Sequence, residues 1–172
     1  MKYARENDFD QAIQKAEAAY GVPAWVLKTT IAKESSFNPA AKLAEPDGRV
    51  SRGLMQLLEA TARDRGYRGI AGNDDARAGG LYDPDVSIEF GARHLRWLRH
   101  RWPRAGWDAI YAAYNSGGIR TDAAGRFVTK GGDPRVQIVV DQWRRIADYF
   151  NPGWAPGRPI KAPAPSGPAP AA

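Results

Sequence analysis

The chain of 172 residues has no cysteine and only two histidines and two methionines. Without cysteine there are no disulfide staples, thiol nucleophiles or thiolate-held metals. His94 and His100 stand off a common helical face and no H-E-x-x-H spacing occurs, so the metal-hydrolase pattern is missing too. No G-x-S-x-G elbow or usable Ser-His-Asp set supports serine hydrolysis. No apolar run approaches the length of a bilayer span, so no stable membrane insertion is expected. Negative charge is the scarcer sign, with 19 Asp and Glu against 25 Lys and Arg, which leaves a net charge of +6 and a pI near 9.7. Such a surface attracts polyanions.

What is present fits one globular domain. Hydrophobic residues at 43% and charged residues at 26% are ordinary for a folded chain of this length, which closes a core without staples. After Asn151 the composition turns to Pro, Ala and Gly, in "APGRPIKAPAPSGPAPAA", which cannot bury enough surface to order itself. The expected division is therefore a folded domain over residues 1–150 and a disordered tail over 151–172. The cluster "ARHLRWLRHRWPR" suggests nucleic-acid contact. Yet Arg93, Arg96, Arg99 and Arg101 surround an apolar stripe, as the solvated face of a helix does, and no nucleic-acid partner is expected.

Periodicity and punctuation predict mainly helices. Asn7 or Asp8 caps a first helix carrying Phe9, Ile13, Ala16 and Tyr20, and Gly21 stops it. Pro23 suits the first turn of a second helix running through Trp25, Leu27 and Ile31 to Glu34. Residues 36–52, with two prolines and a Pro-Asp-Gly signal, read as an irregular excursion or short hairpin. A helix is expected from about Leu57 to Arg65, ended by Gly66, with Gly53 marking unusual backbone before it. Asp83 and Pro84 open the clearest helix, with Ile88, Gly91, Ala92, Leu95 and Leu98 at helical spacing. A shorter helix carries Trp107, Ile110, Tyr111 and Tyr114. Asp133 and Pro134 open a last one, striped by Val139, Trp143, Ile146 and Phe150.

One residue conflicts with its stripe. Positions 27, 31 and 34 share a helical face, so Glu34 stands where the next core residue belongs. A carboxyl taken out of water has its pKa raised, because desolvation penalises the charged form. A Glu kept protonated near neutrality is suited to give a proton to a poor leaving group such as a glycosidic oxygen. The bland alternative is a half-exposed Glu paired with Lys33 or Arg52.

Three further stretches favour the chemical role. Glu34-Ser35, "GLMQ" at 53–56 and "AAYNSGG" at 112–118 resemble the signature motifs of soluble-type lytic transglycosylases and goose-type lysozymes. "ESSFNPAA", "SRGLMQLLEATA", "LYDPDVSIEFGARHL" and "WDAIYAAYNSGG" follow in the family's order over about residues 20–120. The resemblance implies a mainly α, lysozyme-like domain that cleaves the β-1,4 bond between N-acetylmuramic acid and N-acetylglucosamine in peptidoglycan, as a monomer without metal or cofactor. By position it makes Glu34 the catalytic acid and base, with Ser35, Met55, Gln56, Tyr114 and Asn115 at the substrate. Met55 and Tyr114 also read as core filler and Gln56 as a surface amide.

The resemblance leaves two mechanisms open. Most glycosidases need a second carboxylate. Lytic transglycosylases use the substrate's own acetamido and 6-hydroxyl groups and finish on a 1,6-anhydro product, whereas goose-type lysozymes carry a loop acid and hydrolyse. The excursion here is long and holds Glu45 and Asp47, read as surface charges with a cleft carboxylate as the alternative. Ser87 replaces the family's usual Asn, and Ser116-Gly117-Gly118 its Ala-Gly-Pro. A non-catalytic peptidoglycan-binding module is the rival from another class. No apolar segment follows Lys2, so no signal peptide is expected. A wall-degrading enzyme released or delivered by a phage fits that start.

Overall fold

The second helix begins where proline ends the freedom of the chain, and each later element is set by similarly local chemistry. The computed structural model describes residues 3–45, 47–70 and 79–157. Its elements are α1 (Asp10–Tyr20), α2 (Ala24–Ser35), β1 (Lys42–Ala44), β2 (Val50–Arg52), β3 (Leu57–Leu58), α3 (Glu59–Asp64), α4 (Pro84–Arg101), α5 (Trp107–Ser116) and α6 (Arg135–Phe150). This is the expected mainly α architecture with a small antiparallel sheet beside it. No helix among the described residues is long and apolar enough to cross a membrane.

Several boundaries follow the sequence closely. Gly21 takes φ +66° and its N–H bonds the Glu17 carbonyl at 2.8 Å, closing α1. The Asp83 carboxylate caps α4 by accepting the Asp85 N–H, with Pro84 at the first helical position. Others differ for identifiable reasons. The α1 cap is Phe9, not Asn7 or Asp8, because those side chains are engaged elsewhere: Asn7 accepts Lys28 at 3.2 Å and Asp8 accepts Arg5 at 2.8 Å. Leu57 and Leu58, expected in a helix, instead pair with β2 as Arg52↔Leu57 and Ser51↔Leu58. The excursion before them is the expected hairpin, in register Lys42↔Arg52, Leu43↔Ser51 and Ala44↔Val50.

The core gathers between α2, α5 and α6 on one side and α1 and α4 on the other. The face that α6 buries fully is Val136, Val140, Trp143 and Ala147; Val139, Ile146 and Phe150 sit at its margin. Trp143 donates to Thr30 Oγ1 at 3.2 Å and stacks on Tyr111 with ring centroids 5.4 Å apart, tying α6 to both α2 and α5. A second tie is electrostatic. Asp108, almost wholly buried, accepts Arg144 at 2.7 Å and also the Gly157 N–H at 3.2 Å. Trp154 packs against Trp25 and Trp143. The packed unit thus runs past Asn151, where the tail was expected to begin; residues 158–172 of that tail lie outside the described residues.

Gly53 is where three parts of the fold meet. Its φ is +74°, and an added Cβ would stand 2.1 Å from the Leu81 carbonyl oxygen and 2.9 Å from Ser87 Oγ. Gly53→Ala should therefore lower the unfolding free energy by at least about 2 kcal/mol in a urea titration, through strain plus displacement of backbone. Gly48→Ala, at φ +82° in open space, should cost only about 1 kcal/mol.

Candidate active site

Glu34 occupies the last turn of α2, and the chain must leave that helix sharply for its carboxyl to face a cleft. It does so through two consecutive left-handed residues, Ser36 at φ 52° and Phe37 at φ 62°. Non-glycine residues hold such angles only when packing over-determines them. Phe37 is fully buried against Tyr3 and Phe150. The side chain of Glu34 lies at the floor of a cleft of about 200 Å³. It keeps a partial opening to solvent there, yet protein atoms surround it densely enough that burial dominates its electrostatics.

Burial raises the Glu34 pKa, helped by the negative charge of Glu45, while the Tyr111 hydroxyl and Lys33 pull it down. Tyr111 donates to Oε1 at 2.6 Å. The C-terminal turn of a helix is the negative end of its dipole, so α2 offers the anion no compensation. A protonated Glu34 that accepts on Oε1 carries its proton on Oε2.

The other walls come from the sheet region and from α3, α4 and α5. Leu43, Glu45, Ser51, Leu57 and Leu58 belong to the sheet region, Thr61 to α3, His94 to α4, and Tyr114 and Asn115 to α5. Gln56 lines the cleft from the bend between β2 and β3. Its φ is +46°, and both amide protons hold that bend together: Nε2 donates to Ala41 O at 3.0 Å and Gly53 O at 2.9 Å. Two carbonyl partners fix which end of the amide is nitrogen, so Oε1 is left as an acceptor. Tyr114 donates its hydroxyl to the Met55 carbonyl at 2.6 Å.

Four of the six residues singled out from sequence thus meet at one cleft: Glu34, Gln56, Tyr114 and Asn115. Ser35 and Met55 do not line it. Ser35 Oγ donates back to the Ile31 carbonyl at 3.1 Å, the i−4 bond a helical serine readily makes. The Met55 side chain is fully buried against Gly91, where an added Cβ would meet it at 2.6 Å, so it fills core while its carbonyl serves Tyr114.

Two residues of the site, Tyr111 behind Glu34 and His94 in the cleft wall, were not singled out, and Glu45 was read first as a surface charge with the cleft as its alternative. Tyr111 had been assigned to the apolar stripe of α5; its position three residues before Tyr114, on the same helical face, was the available signal. His94 had been considered only as a metal ligand. Its Nδ1 accepts Arg65 Nε at 3.3 Å, so Nε2 holds the proton of the neutral ring, and burial pushes its pKa down to about 4. Glu45 accepts the Ser51 hydroxyl at 2.7 Å on the cleft side. Asp47 instead pairs with Arg49 at 2.7 Å in the exposed turn. No cluster of three His, Asp or Glu able to hold a metal ion occurs among the described residues.

Known proteins resemble this chain over more than half of its length. The chain is 30% identical over 121 residues to the membrane-bound lytic murein transglycosylase C of Serratia proteamaculans, covering 66% of this chain and 32% of that protein. It is 34% identical over 113 residues to the peptidoglycan transglycosylase gp16 of Escherichia phage T7, covering 64% of this chain and 8% of that one. The chain therefore spans about a third of the first relative and less than a tenth of the second. The crystal structure of the 70 kDa soluble lytic transglycosylase of Escherichia coli superposes with a TM-score of 0.61 at 22% identity, over 83% of this chain and 24% of that one. Residues 11–133 match the family described as the transglycosylase SLT domain, and that span holds the Glu34 floor and every wall of the cleft: the chain belongs to this family.

Proposed function

We propose that the chain is a peptidoglycan lytic transglycosylase, cleaving between N-acetylmuramic acid and N-acetylglucosamine with Glu34 as its one acid and base. The observation that carries this is a buried carboxyl held by the Tyr111 hydroxyl at the floor of a cleft walled by Gln56, Tyr114 and Asn115. The transglycosylase names of the relatives support it. In the first step the Oε2 proton passes to the glycosidic oxygen as the C1–O bond breaks, assisted by the muramic acetamido group. Tyr111, already bonded to Oε1, stabilises the carboxylate that forms. In the second step Glu34 takes the proton of the 6-hydroxyl while O6 bonds C1, giving the 1,6-anhydro ring and restoring the acid. Gln56 Oε1 accepts from a sugar hydroxyl or amide, Asn115 meets polar groups at the rim, and Tyr114 forms the wall. Ser35 and Met55 act at one remove, by holding the end of α2 and anchoring Tyr114.

Glu45 supports one other outcome. Standing on the cleft and close enough to raise the Glu34 pKa, it is placed to activate a water, which would give hydrolysis as in goose-type lysozymes. The catalytic unit extends from the N-terminal helix through the Trp154 segment and works as a monomer. Delivery by a phage is supported by the relative from phage T7.

Glu34→Gln should lower the rate of turbidity loss of purified cell walls about 100-fold or more with unchanged circular dichroism; retained lysis removes Glu34 from the role. Because Glu34 holds its proton in the folded state above the ordinary value of about 4.3, stability falls as pH rises from there through the folded pKa. The Gln variant should thus melt higher than the parent near neutral pH and lose that advantage at pH 4. Activity should decline on the alkaline side as the acid form is lost, and Tyr111→Phe should move that limb to higher pH, because the carboxylate loses its donor. Mass spectrometry of released muropeptides separates the outcomes: anhydro ends mark the transglycosylase. Reducing ends that disappear in Glu45→Gln mark the hydrolase.

A further inference from the structure

The His94 ring is held on several sides. It lines the cleft from α4 and stacks on Trp97 with centroids 5.9 Å apart and planes 13° from parallel, while Tyr114 packs on it at 5.3 Å. Trp97 in turn lines an outer groove with Arg65 and Arg96. The Arg65 guanidinium lies over the Trp97 ring, 3.9 Å from its centroid, and its Nε donates to His94 Nδ1 at 3.3 Å. Arginine can only donate, so Nδ1 is bare and the proton of the neutral ring sits on Nε2. Two rings and one hydrogen bond therefore set the plane of the imidazole and its tautomer. Nε2 has no hydrogen-bond partner among the described residues. The side chain is half-buried, so this N–H is neither paired nor sealed in.

The other side-chain donors of the cleft are spent or loose. Both Gln56 amide protons go to the Ala41 and Gly53 carbonyls, the Tyr114 hydroxyl goes to the Met55 carbonyl, and the Ser51 hydroxyl goes to Glu45. The Glu34 proton belongs to the leaving oxygen. What remains in the described lining is the Thr61 hydroxyl, whose hydrogen rotates, the amide of exposed Asn115, and His94 Nε2–H. Of these, the last has its direction set in advance. Burial and the Arg65 charge hold the His94 pKa down at about 4, against the opposite pull of Asp64, so the ring is uncharged at neutral pH and holds no special attraction for an anion. A fixed neutral donor is best matched by a neutral group that can only accept. On a strand of amino sugars that group is the acetamido carbonyl, since hydroxyls turn to donate or accept. Leu43, Leu57 and Leu58 add apolar surface to the same lining, which suits the acetyl methyl.

Resting on the glycan-cleaving function above, we propose that His94 is a substrate-binding residue that donates Nε2–H to the acetamido carbonyl of an N-acetylglucosamine unit, with Arg65 as the positioning residue that keeps the donor on Nε2. The muramic acetamido group is engaged at C1 in the first step, so the carbonyl that meets His94 is that of a neighbouring sugar.

The test compares soluble glycan strands with the same strands deacetylated at N-acetylglucosamine. Binding is measured on the full chain carrying Glu34→Gln, so that substrate is not consumed, and turnover on the chain with Glu34 intact. Acetylated strands should bind about tenfold tighter than deacetylated ones, and adding His94→Phe, which keeps a ring between Trp97 and Tyr114, should reduce that preference to about twofold or less. The ammonium left by deacetylation acts on parent and variant alike, so the difference between them isolates the contact. In turnover, His94→Phe should raise KM about five- to tenfold and leave kcat within about twofold. His94→Gln, whose amide nitrogen reaches the place of Nε2, should recover most of the loss; His94→Asn, whose amide ends near Nδ1, should not. Arg65→Met should give a KM rise of about twofold, with imidazole ¹⁵N shifts showing the proton divided between the two nitrogens. Equal affinity of the parent for both strands, the same preference in His94→Phe, or a Gln variant no better than Phe overturns the assignment and leaves the glycan-cleaving function standing. Failure of the intact chain to bind or cleave any strand overturns that function and the assignment with it.

Discussion

A carboxyl desolvated beneath a tyrosine hydroxyl is the constraint around which the molecule is arranged. Glu34 cannot be buried cheaply as an anion, and Tyr111 is its hydrogen-bond partner. That hydroxyl is useful only if the ring behind it cannot move. The ring is clamped in a continuous series of aromatic contacts: Tyr114 stacks on one side at 6.2 Å and Trp143 at 5.4 Å, and Trp25 and Trp154 back Trp143 in turn. Three helices and the segment after α6 therefore converge on one oxygen-to-oxygen contact. Aromatic packing supplies rigidity with few rotatable bonds, which suits a site whose donor must be in place before charge develops.

The opposite wall is built from backbone instead of rings. Left-handed turns at Ser36, Phe37, Gly53 and Gln56 bend the chain around the cleft, and each is held by a specific neighbour. Ser87 is central to this. Its hydroxyl accepts the Met55 N–H at 3.1 Å and lies against Gly53, so a fully buried serine on α4 sets the bend that carries Gln56 and the carbonyl that receives Tyr114. Gly91, also on α4, makes room for the Met55 side chain. The same helix gives His94 to the cleft and Trp97 and Arg96 to the outer groove. One element thus joins the candidate cleft to the arginine-bearing groove beside it.

The two acidic residues of the hairpin show how finely position divides roles. Glu45 and Asp47 are two apart in a turn, and their backbone paths place one on the cleft beside Ser51 and the other against Arg49 in solvent. Only the first changes the electrostatics of Glu34. Charge count in the loop carries no such distinction.

Sequence by itself determined the helical architecture, because amphipathic period, the Asp83-Pro84 start and the Gly21 stop are local chemistry that needs no partner to act. It also singled out Glu34 as the candidate acid, since a Glu in the apolar register of α2 is a local contradiction visible at 27, 31 and 34. Tertiary structure alone decided which polar group meets that acid. Tyr111 and Glu34 are 77 residues apart in the chain, and a tyrosine on a buried stripe looks the same whether its hydroxyl finds a carboxyl or a carbonyl. The pairing of Leu57 and Leu58 in the sheet, the inward turn of Met55, the split between Glu45 and Asp47, and the joining of His94 to Arg65 and Trp97 were likewise decided there. Each depends on long-range contact, and no local preference of the chain encodes which distant surface a side chain will find.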